Sequence, residues 1–164
     1  MPLLLAHPPA NADEMTTIHQ THNSEVLMMK NPITDYVEYG LLIDSKNSEL
    51  NSINRLDKTG LLMACKEPGI HAKFPTNTYN GRKDQYLTMR WEKEKPIKKK
   101  WLIHRGTGTS FAYMDGEELL KTMREKDSLL IMWETYSMES RYFIFDLKAA
   151  RSSILKLQSA CGSY

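Results

Sequence analysis

The sequence predicts an α+β protein that is β-rich, with a mainly antiparallel sheet or sandwich, a short helix and a C-terminal amphipathic helix. Short stretches of alternating apolar residues are separated by tight turns, which is typical of antiparallel strands. Two stretches with helical spacing each follow an aspartate and come after runs of strands. The 164 residues are enough for one domain with its own core.

Alternation of apolar residues predicts the strands. In GLLMAC, residues 60–65, one face carries Leu61, Met63 and Cys65, because side chains alternate along a strand. The turn at 66–69 returns the chain into the next strand. Residues 92–100 are predicted as a charged connection broken by Pro96. Strands are expected at 36–45, 60–65, 70–74, 85–91, 101–104, 110–114, 128–134 and 141–145.

Capping signals and apolar spacing predict the two helices. Asp115 is a suitable N-cap, and Glu118 three residues later completes a capping box. Asp146 caps the last helix, and Gly162 stands where a C-cap glycine is expected. Between them the apolar residues recur at helical spacing, so one face is predicted to be buried. That face consists of Leu147, Ala150, Ile154, Leu157 and Cys161.

The N-terminal residues predict export. Residues 1–12 read as the remnant of a secretory signal peptide, with Ala10 and Ala12 at the −3 and −1 positions and Asp13 as the new N-terminus. The alternative is an N-terminal segment in which this small-residue spacing is a coincidence. Residues 13–34 are predicted as a polar segment containing at most a short strand at 26–29, and residues 35–164 as a single β-rich domain.

The two cysteines, Cys65 and Cys161, are far apart in the chain, and neither belongs to a C-x-x-C motif. In an oxidising compartment such a pair is most simply a disulfide. A helix packed across the sheet would bring the end of the last helix to the central strand. The alternative is a pair of buried free thiols.

Composition and motifs exclude several classes of function. The net charge of +2 gives no electrostatic reason to expect nucleic-acid binding. The sequence contains no run of about 18 apolar residues, so we predict no stable membrane insertion. The glycine-rich stretch 106–110 lacks the Lys-Ser/Thr of a P-loop. We therefore predict no catalytic residues, no metal and no cofactor. An enzyme would instead require His71 or His104 to meet an acidic residue.

The strongest charge cluster contains Lys98, Lys99, Lys100 and Trp101. Basic residues beside an aromatic ring are suited to contact a partner, so these four are the predicted partner-binding residues. The same residues would also suit a solvated hairpin end, where lysines protect a strand from edge pairing.

The order of motifs resembles the VasI/TagO-like family of periplasmic accessory proteins, which is associated with type VI secretion. The motifs are LLMAC (61–65), MRWE (89–92), WLIHRGTGTSFAYM, LLIMWETY and FDLKAARSSILKLQSACG (145–162), and they cover roughly residues 31–162. The resemblance implies that Cys65 and Cys161 correspond to the family's paired cysteines, and it carries over no catalytic residues. The alternative is a resemblance to invasion-associated locus B-like domains.

These features predict a non-catalytic, periplasmic accessory or interaction protein that acts on an envelope or secretion-system partner, in bacteria or their phages. Two alternatives stay open. One is an inhibitor or immunity protein of a toxin or cell-wall hydrolase, which would bind through acidic or aromatic loop residues. The other is an uncharacterised hydrolase. Neither the identity of the partner nor the oligomeric state follows from the sequence.

Overall fold

The computed structural model describes residues 14–47, 60–66 and 69–162. These residues form ten strands and two helices. In chain order they are β1 (Glu14–Gln20), β2 (Ser24–Lys30), β3 (Val37–Asp44), β4 (Gly60–Lys66), β5 (Gly69–Pro75), β6 (Gln85–Trp91), β7 (Ile97–Ile103), β8 (Ser110–Tyr113), α1 (Gly116–Glu125), β9 (Ser128–Glu134), β10 (Ser140–Asp146) and α2 (Leu147–Cys161). The predicted α+β, β-rich class is confirmed.

All the strands belong to one antiparallel sheet in the order β1-β2-β3-β4-β5-β8-β7-β6-β9-β10. Most neighbours are joined by short hairpins. The exceptions are β3 with β4, which residues 45–59 separate, and β5 with β8 and β6 with β9, which pair across other elements of the chain. The sheet is thus built from local hairpins that two non-local pairings connect.

The sheet curls until the end of β3 meets β10. Ser45 and Phe145 form an antiparallel bridge, and the Lys46 amide donates to the Ile144 carbonyl at 2.7 Å. The Asn47 side chain continues this contact, since its Oδ1 accepts from the Ile144 amide and its Nδ2 donates to the Tyr142 carbonyl, both at 2.9 Å. The run from β3 to β10 is therefore closed on itself, which leaves β1 and β2 as a hairpin outside the ring.

An aromatic cluster fills the inside of the curled sheet. Phe74 on β5 is fully buried and makes edge-to-face contacts with four other rings, at centroid distances of 5.1 to 6.2 Å. This geometry is the one that aromatic quadrupoles favour. The four rings belong to Trp101, Trp133, Phe143 and Phe145, on β7, β9 and β10. The Phe74 side chain thus connects β5 with β7, β9 and β10 inside the closed sheet.

Helix α2 packs against α1, β2 and β3, with the predicted apolar face turned inward. Ser153 is fully buried on this face, and its hydroxyl lies 2.8 Å from that of Ser24 on β2, so its burial is compensated. Gly162 caps the helix as predicted, with its amide donating to the Gln158 carbonyl. At the same end, the structure contains the disulfide Cys65–Cys161, with the two Cα atoms 5.7 Å apart.

Residues 14–30 are not the polar segment that the sequence predicts. They form β1 and β2, and β2 pairs with β3 along its whole length. The pattern hides these strands because α2 covers only part of the hairpin. Val26 is fully buried, whereas Glu14 to Thr17 are exposed on both faces. The predicted leader, with Ala10, Ala12 and Asp13, lies outside the described residues.

The charged connection predicted at 92–100 is also shorter in the structure. Strand β7 begins at Ile97, so Lys98, Lys99 and Lys100 lie within a strand and pair with β6. Lysines are tolerated there because Lys98 and Lys100 reach solvent from the outer surface of the sheet, and Lys99 is partly exposed on the other side. Among the described residues, no helix is long and apolar enough to cross a membrane.

Asp146 is both the N-cap of α2 and a charge partner. Its Oδ1 accepts from the Ala149 amide at 3.0 Å, and its Oδ2 lies 3.0 Å from Lys46 Nζ. The Ala149 hydrogen bond and the Lys46 ammonium hold the pKa of Asp146 below its ordinary value of 3.8. We expect Asp146→Ala to lower the free energy of unfolding by about 1 kcal/mol at pH 7, the usual cost of losing an N-cap.

The same contribution should disappear in acid. Because the folded-state pKa is lowered, the unfolded chain takes up the proton first, and the stabilisation is lost as pH falls through the folded-state value. Urea unfolding at pH 7 and pH 2 should therefore show a smaller difference between wild type and Asp146→Ala in acid. Asp146→Asn retains an acceptor and serves as the control. An equal difference at both pH values would contradict this account.

Candidate functional site

The outer surface of β6, β9 and β10 carries large side chains that are exposed to solvent. The strand register places Met132 beside both Thr88 and Tyr142, and Tyr86 lies two residues before Thr88 on the same face of β6. Tyr86 is 67% exposed, Tyr142 50% and Met132 37%. We call these three residues the tyrosine patch. Partly buried Leu130 and Ile144, which pair with each other, extend it along the same surface.

Basic side chains border the tyrosine patch on the β7 side. Lys100 is paired with Tyr86 and Lys98 with Thr88, and both lysines are exposed. Lys100 Nζ lies 3.7 Å from the carboxylate of Asp84, which also accepts a hydrogen bond from the Ile103 amide. The border therefore has positive charge that neighbouring carboxylates compensate only in part.

A groove of about 320 Å³ continues this outer surface across β7 and β8. Leu102 and Ala112, which are paired, lie on its floor, and three basic side chains contribute to its lining. These are Lys73, His104 and Arg105, all exposed. Asp84 also lines the groove, so Lys73 and Arg105 extend the positive border beyond Lys100 with one carboxylate among them.

The four predicted partner-binding residues do not lie together. Lys98 and Lys100 face outward beside the tyrosine patch. Lys99 and Trp101 face the other side of the sheet, and Trp101 is fully buried. Placing Trp101 in a binding surface is therefore wrong. The reason is the strand register, because consecutive residues of a strand cannot share a face.

Lys99 belongs instead to a cluster of titratable groups at one end of α1. Its Nζ lies 3.4 Å from Glu118 Oε1, and the Tyr113 hydroxyl donates to Glu118 Oε2 at 3.2 Å. Burial, followed by the nearby Glu118 charge, raises the pKa of Tyr113, and the phenol of Tyr113 and the carboxylate of Glu118 raise the pKa of Lys99. The adjoining cavity measures about 30 Å³. That volume holds one or two water molecules.

The histidines named for an alternative enzyme are on the surface of the sheet and its loops. His71 lies on β5, and His104 Nδ1 is 3.1 Å from the Thr107 hydroxyl. His19 Nε2 lies 2.9 Å from the Ser152 hydroxyl, a Ser-His pair that no sequence motif predicts. Ser152 is an exposed residue in the middle of α2, so this pair connects β1 to the helix. In the parts of the chain that the structure describes, no group of three His, Cys, Asp or Glu residues could hold a metal ion.

No sequence motif indicates the tyrosine patch, because aromatic residues on strands are most often core residues or cross-strand partners. A signal was present in the alternation itself. Tyr86 has the opposite parity from Leu87 and Met89, which are buried, so it must face outward. Tyr142 likewise has the opposite parity from Phe145. The parity of β6 and β10 could therefore have identified two of the three residues.

The fold and the exposed surface define a structural class, but they do not assign the chain to a family. The chain is a disulfide-linked, curled antiparallel sheet with two helices and an exposed aromatic surface. No family model matches it, and neither a curated protein nor a solved structure does.

Proposed function

We propose that this protein is a non-catalytic accessory protein of the periplasm that binds an envelope or secretion-system protein through the tyrosine patch. The observation that carries the proposal is the outward-facing set of Tyr86, Met132 and Tyr142 with lysines beside it. Tyrosine and methionine are enriched in protein interfaces, and neighbouring exposed apolar side chains on a sheet are typical of such surfaces.

The charges beside the patch favour an acidic partner. Lys98, Lys100 and Arg90 all lie on the outer surface, and Asp84 is already engaged by Lys100 and the Ile103 amide. An acidic surface on the partner would complement these cations and speed association, and the effect would weaken with salt. The basic groove across β7 and β8 enlarges the area over which this attraction acts.

The disulfide supports a periplasmic location. Disulfides persist in oxidising compartments such as the bacterial periplasm and are rare in the cytosol. The bridge between Cys65 and Cys161 therefore supports an exported protein. Together with the resemblance to VasI/TagO-like proteins, it supports an envelope or secretion-system protein as the partner.

The titratable groups support a binding role rather than a catalytic one. The cluster of Lys99, Glu118 and Tyr113 adjoins a cavity of only about 30 Å³. The Ser152 hydroxyl that contacts His19 lies on the exposed surface of α2. A nucleophile and its base normally act in a concave site that excludes water, with donors placed for the developing charge.

Photocrosslinking followed by affinity measurement tests the proposal. A photoreactive amino acid at position 86 or 142 would capture the partner in cells that export the protein, and position 155 on α2 would serve as the exposed control. The captured protein would then be purified. We expect Lys98→Glu/Lys100→Glu to weaken its binding about tenfold, mostly through slower association, and Tyr86→Ala to weaken it by a similar factor.

The control for charge is Lys121→Glu/Lys156→Glu, in which two exposed lysines of the helices are reversed. This double variant should bind as wild type does, and binding by wild type should weaken as salt is added. Equal affinities for wild type and the Lys98/Lys100 variant would refute the proposal, as would crosslinks that form only at position 155.

A further inference from the structure

The loop between β9 and β10 exposes two large apolar side chains. Met138 is 78% exposed and Tyr136 70% exposed. Met138 has the highest exposed fraction of the large hydrophobic residues that the structure describes. The loop continues from the same two strands that carry Met132 and Tyr142 of the tyrosine patch.

Hydrogen bonds within the loop hold its shape. The Thr135 amide donates to the Glu139 carbonyl at 2.9 Å, and the Met138 amide donates to the Thr135 carbonyl at 3.0 Å. The Thr135 hydroxyl accepts from the Glu139 amide at 3.2 Å and lies 3.0 Å from the Ser137 hydroxyl. Thr135 is only 4% exposed, so the base of the loop is buried although its tip is not.

Met138 has a φ angle of +66°, in the left-handed region that non-glycine residues rarely adopt. The hydrogen bonds of Thr135 with Met138 and Glu139 maintain this backbone. The side chain of Met138 is thus presented to solvent from a backbone whose conformation is already set. Binding by such a loop loses little conformational entropy, which is the advantage of preorganisation.

A second loop, residues 76–84 between β5 and β6, contacts Tyr136. The Tyr136 amide donates to the Tyr79 carbonyl at 3.1 Å, and the two rings lie 5.3 Å apart. Glycines make room for both rings, since a Cβ at Gly81 would approach Tyr136 to 3.3 Å and a Cβ at Gly108 would approach Tyr79 to 2.6 Å. Tyr136 is therefore supported on one side and open to solvent on the other.

A buried asparagine anchors this support to the core. The Trp133 indole donates to Asn80 Oδ1 at 3.0 Å, and Asn80 Nδ2 donates to Thr76 Oγ1 at 2.7 Å. The Asn80 amide donates to the Gly108 carbonyl at 2.8 Å. Asn80 is 4% exposed, so these bonds are shielded from water and are expensive to leave unmade. The loops that position Tyr136 are thus held by the folded sheet itself.

We propose that Tyr136 and Met138 are anchor residues that insert into a concave apolar pocket of the partner protein, next to the surface that the tyrosine patch covers. This inference rests on the proposed function, because it assigns the central contacts of the same interface. Interface hot spots are commonly large side chains that fill a pocket on the partner. Exposed Arg82 and Lys83, in the adjoining loop, indicate an acidic rim for that pocket.

A protein pocket fits these observations better than a lipid surface does. The loop exposes only two large apolar side chains, Tyr136 and Met138. Binding to a lipid surface scales with the apolar area buried, and two side chains supply little of it. A rigid tip with two protruding side chains is instead suited to a recess of matching shape.

The test places a photoreactive amino acid at position 138, and separately at position 86, in the full chain within cells that export it. The crosslinked partner is identified from both positions, and the crosslinked peptide is located on the partner's surface. We expect position 138 to capture the same protein as position 86, at a concave apolar site. With that protein purified, Tyr136→Ala and Met138→Asn should each weaken binding by about tenfold or more.

Asparagine is chosen at position 138 because it tolerates a left-handed backbone, so the loop keeps its conformation when the apolar side chain is lost. Met15→Ala and Met114→Ala are matched controls, since both methionines are more than 60% exposed elsewhere on the protein. Circular dichroism and urea unfolding establish that each variant is folded. The two controls should bind as wild type does.

The outcomes separate the two proposals. Capture from position 86 but not from position 138, or unchanged affinity in both loop variants, would overturn the anchor role and leave the proposed function standing. Failure of both positions to capture a protein would overturn both. Binding to anionic vesicles that is lost in Met138→Asn, or self-association lost in the same variant, would replace the proposed pocket by a membrane or a second copy and so overturn the inference.

Discussion

Replacing both cysteines, as Cys65→Ala/Cys161→Ala, is expected to lower the free energy of unfolding by about 4 kcal/mol, with about 5 kcal/mol as the upper limit. The two cysteines are 96 residues apart, so the bridge removes a large loop-closure entropy from the unfolded chain. Cys65 is only 2% exposed on β4, and alanine avoids placing a polar hydroxyl at that buried site.

Urea unfolding of the oxidised wild type, the reduced wild type and the double variant measures this effect. The reduced protein and the double variant should unfold at similar, lower urea concentrations, because both lack the covalent link. The variant Cys161→Ala alone serves as the control for side-chain loss at the helix end. If the oxidised and reduced proteins unfold at the same urea concentration, the disulfide does not stabilise the fold.

The variant Phe74→Ala is expected to lower the free energy of unfolding by about 3 to 5 kcal/mol, the usual range for a buried phenylalanine. Phe74 is fully buried and contacts four aromatic rings, so its removal leaves a cavity among them. Those rings belong to β7, β9 and β10, and the loss should therefore weaken the contact between both halves of the curled sheet.

Tyr86→Ala is the matched control, because it removes another aromatic ring of the sheet from the solvent-exposed side. Its unfolding free energy should stay within about 0.5 kcal/mol of wild type, as is usual for exposed positions. Urea unfolding followed by tryptophan fluorescence measures both variants. A Phe74→Ala variant as stable as Tyr86→Ala would show that the aromatic cluster adds little to stability.

Elements with strict local patterns were predictable. Strand β6 alternates from Tyr86 to Trp91 with a clean division between exposed and buried residues. The caps were equally clear, since Asp115 accepts from the Glu118 amide and Asp146 from the Ala149 amide. In each case the residues that decide the structure lie within a few positions of one another, so a single sequence carries the information.

The β1–β2 hairpin was not predictable because its burial depends on a distant helix. Ser24 is 5% exposed since Ser153 of α2 covers it, and His19 contacts Ser152 of the same helix. In the sequence these residues read as polar positions without a period. Only the tertiary position of α2, more than a hundred residues later, turns them into the covered side of a strand.

The strand order, and with it the candidate site, also depends on non-local pairing. Nothing within β6 or β9 indicates that Thr88 lies beside Met132, yet this pairing assembles the tyrosine patch. The parity of each strand separates inward from outward residues, but it does not tell which outward residues are neighbours. The sequence therefore supplied two of the basic residues, Lys98 and Lys100, and missed the apolar surface that they border.

Closure of the sheet between Ser45 and Phe145 has a consequence for biosynthesis. A ribosome or an export channel releases the N-terminal strands first, and Phe145 on β10 emerges about a hundred residues after Ser45, so the contact that closes the sheet forms late. Slow synthesis or translocation should therefore prolong the period in which the sheet is not closed and is accessible to chaperones and to aggregation.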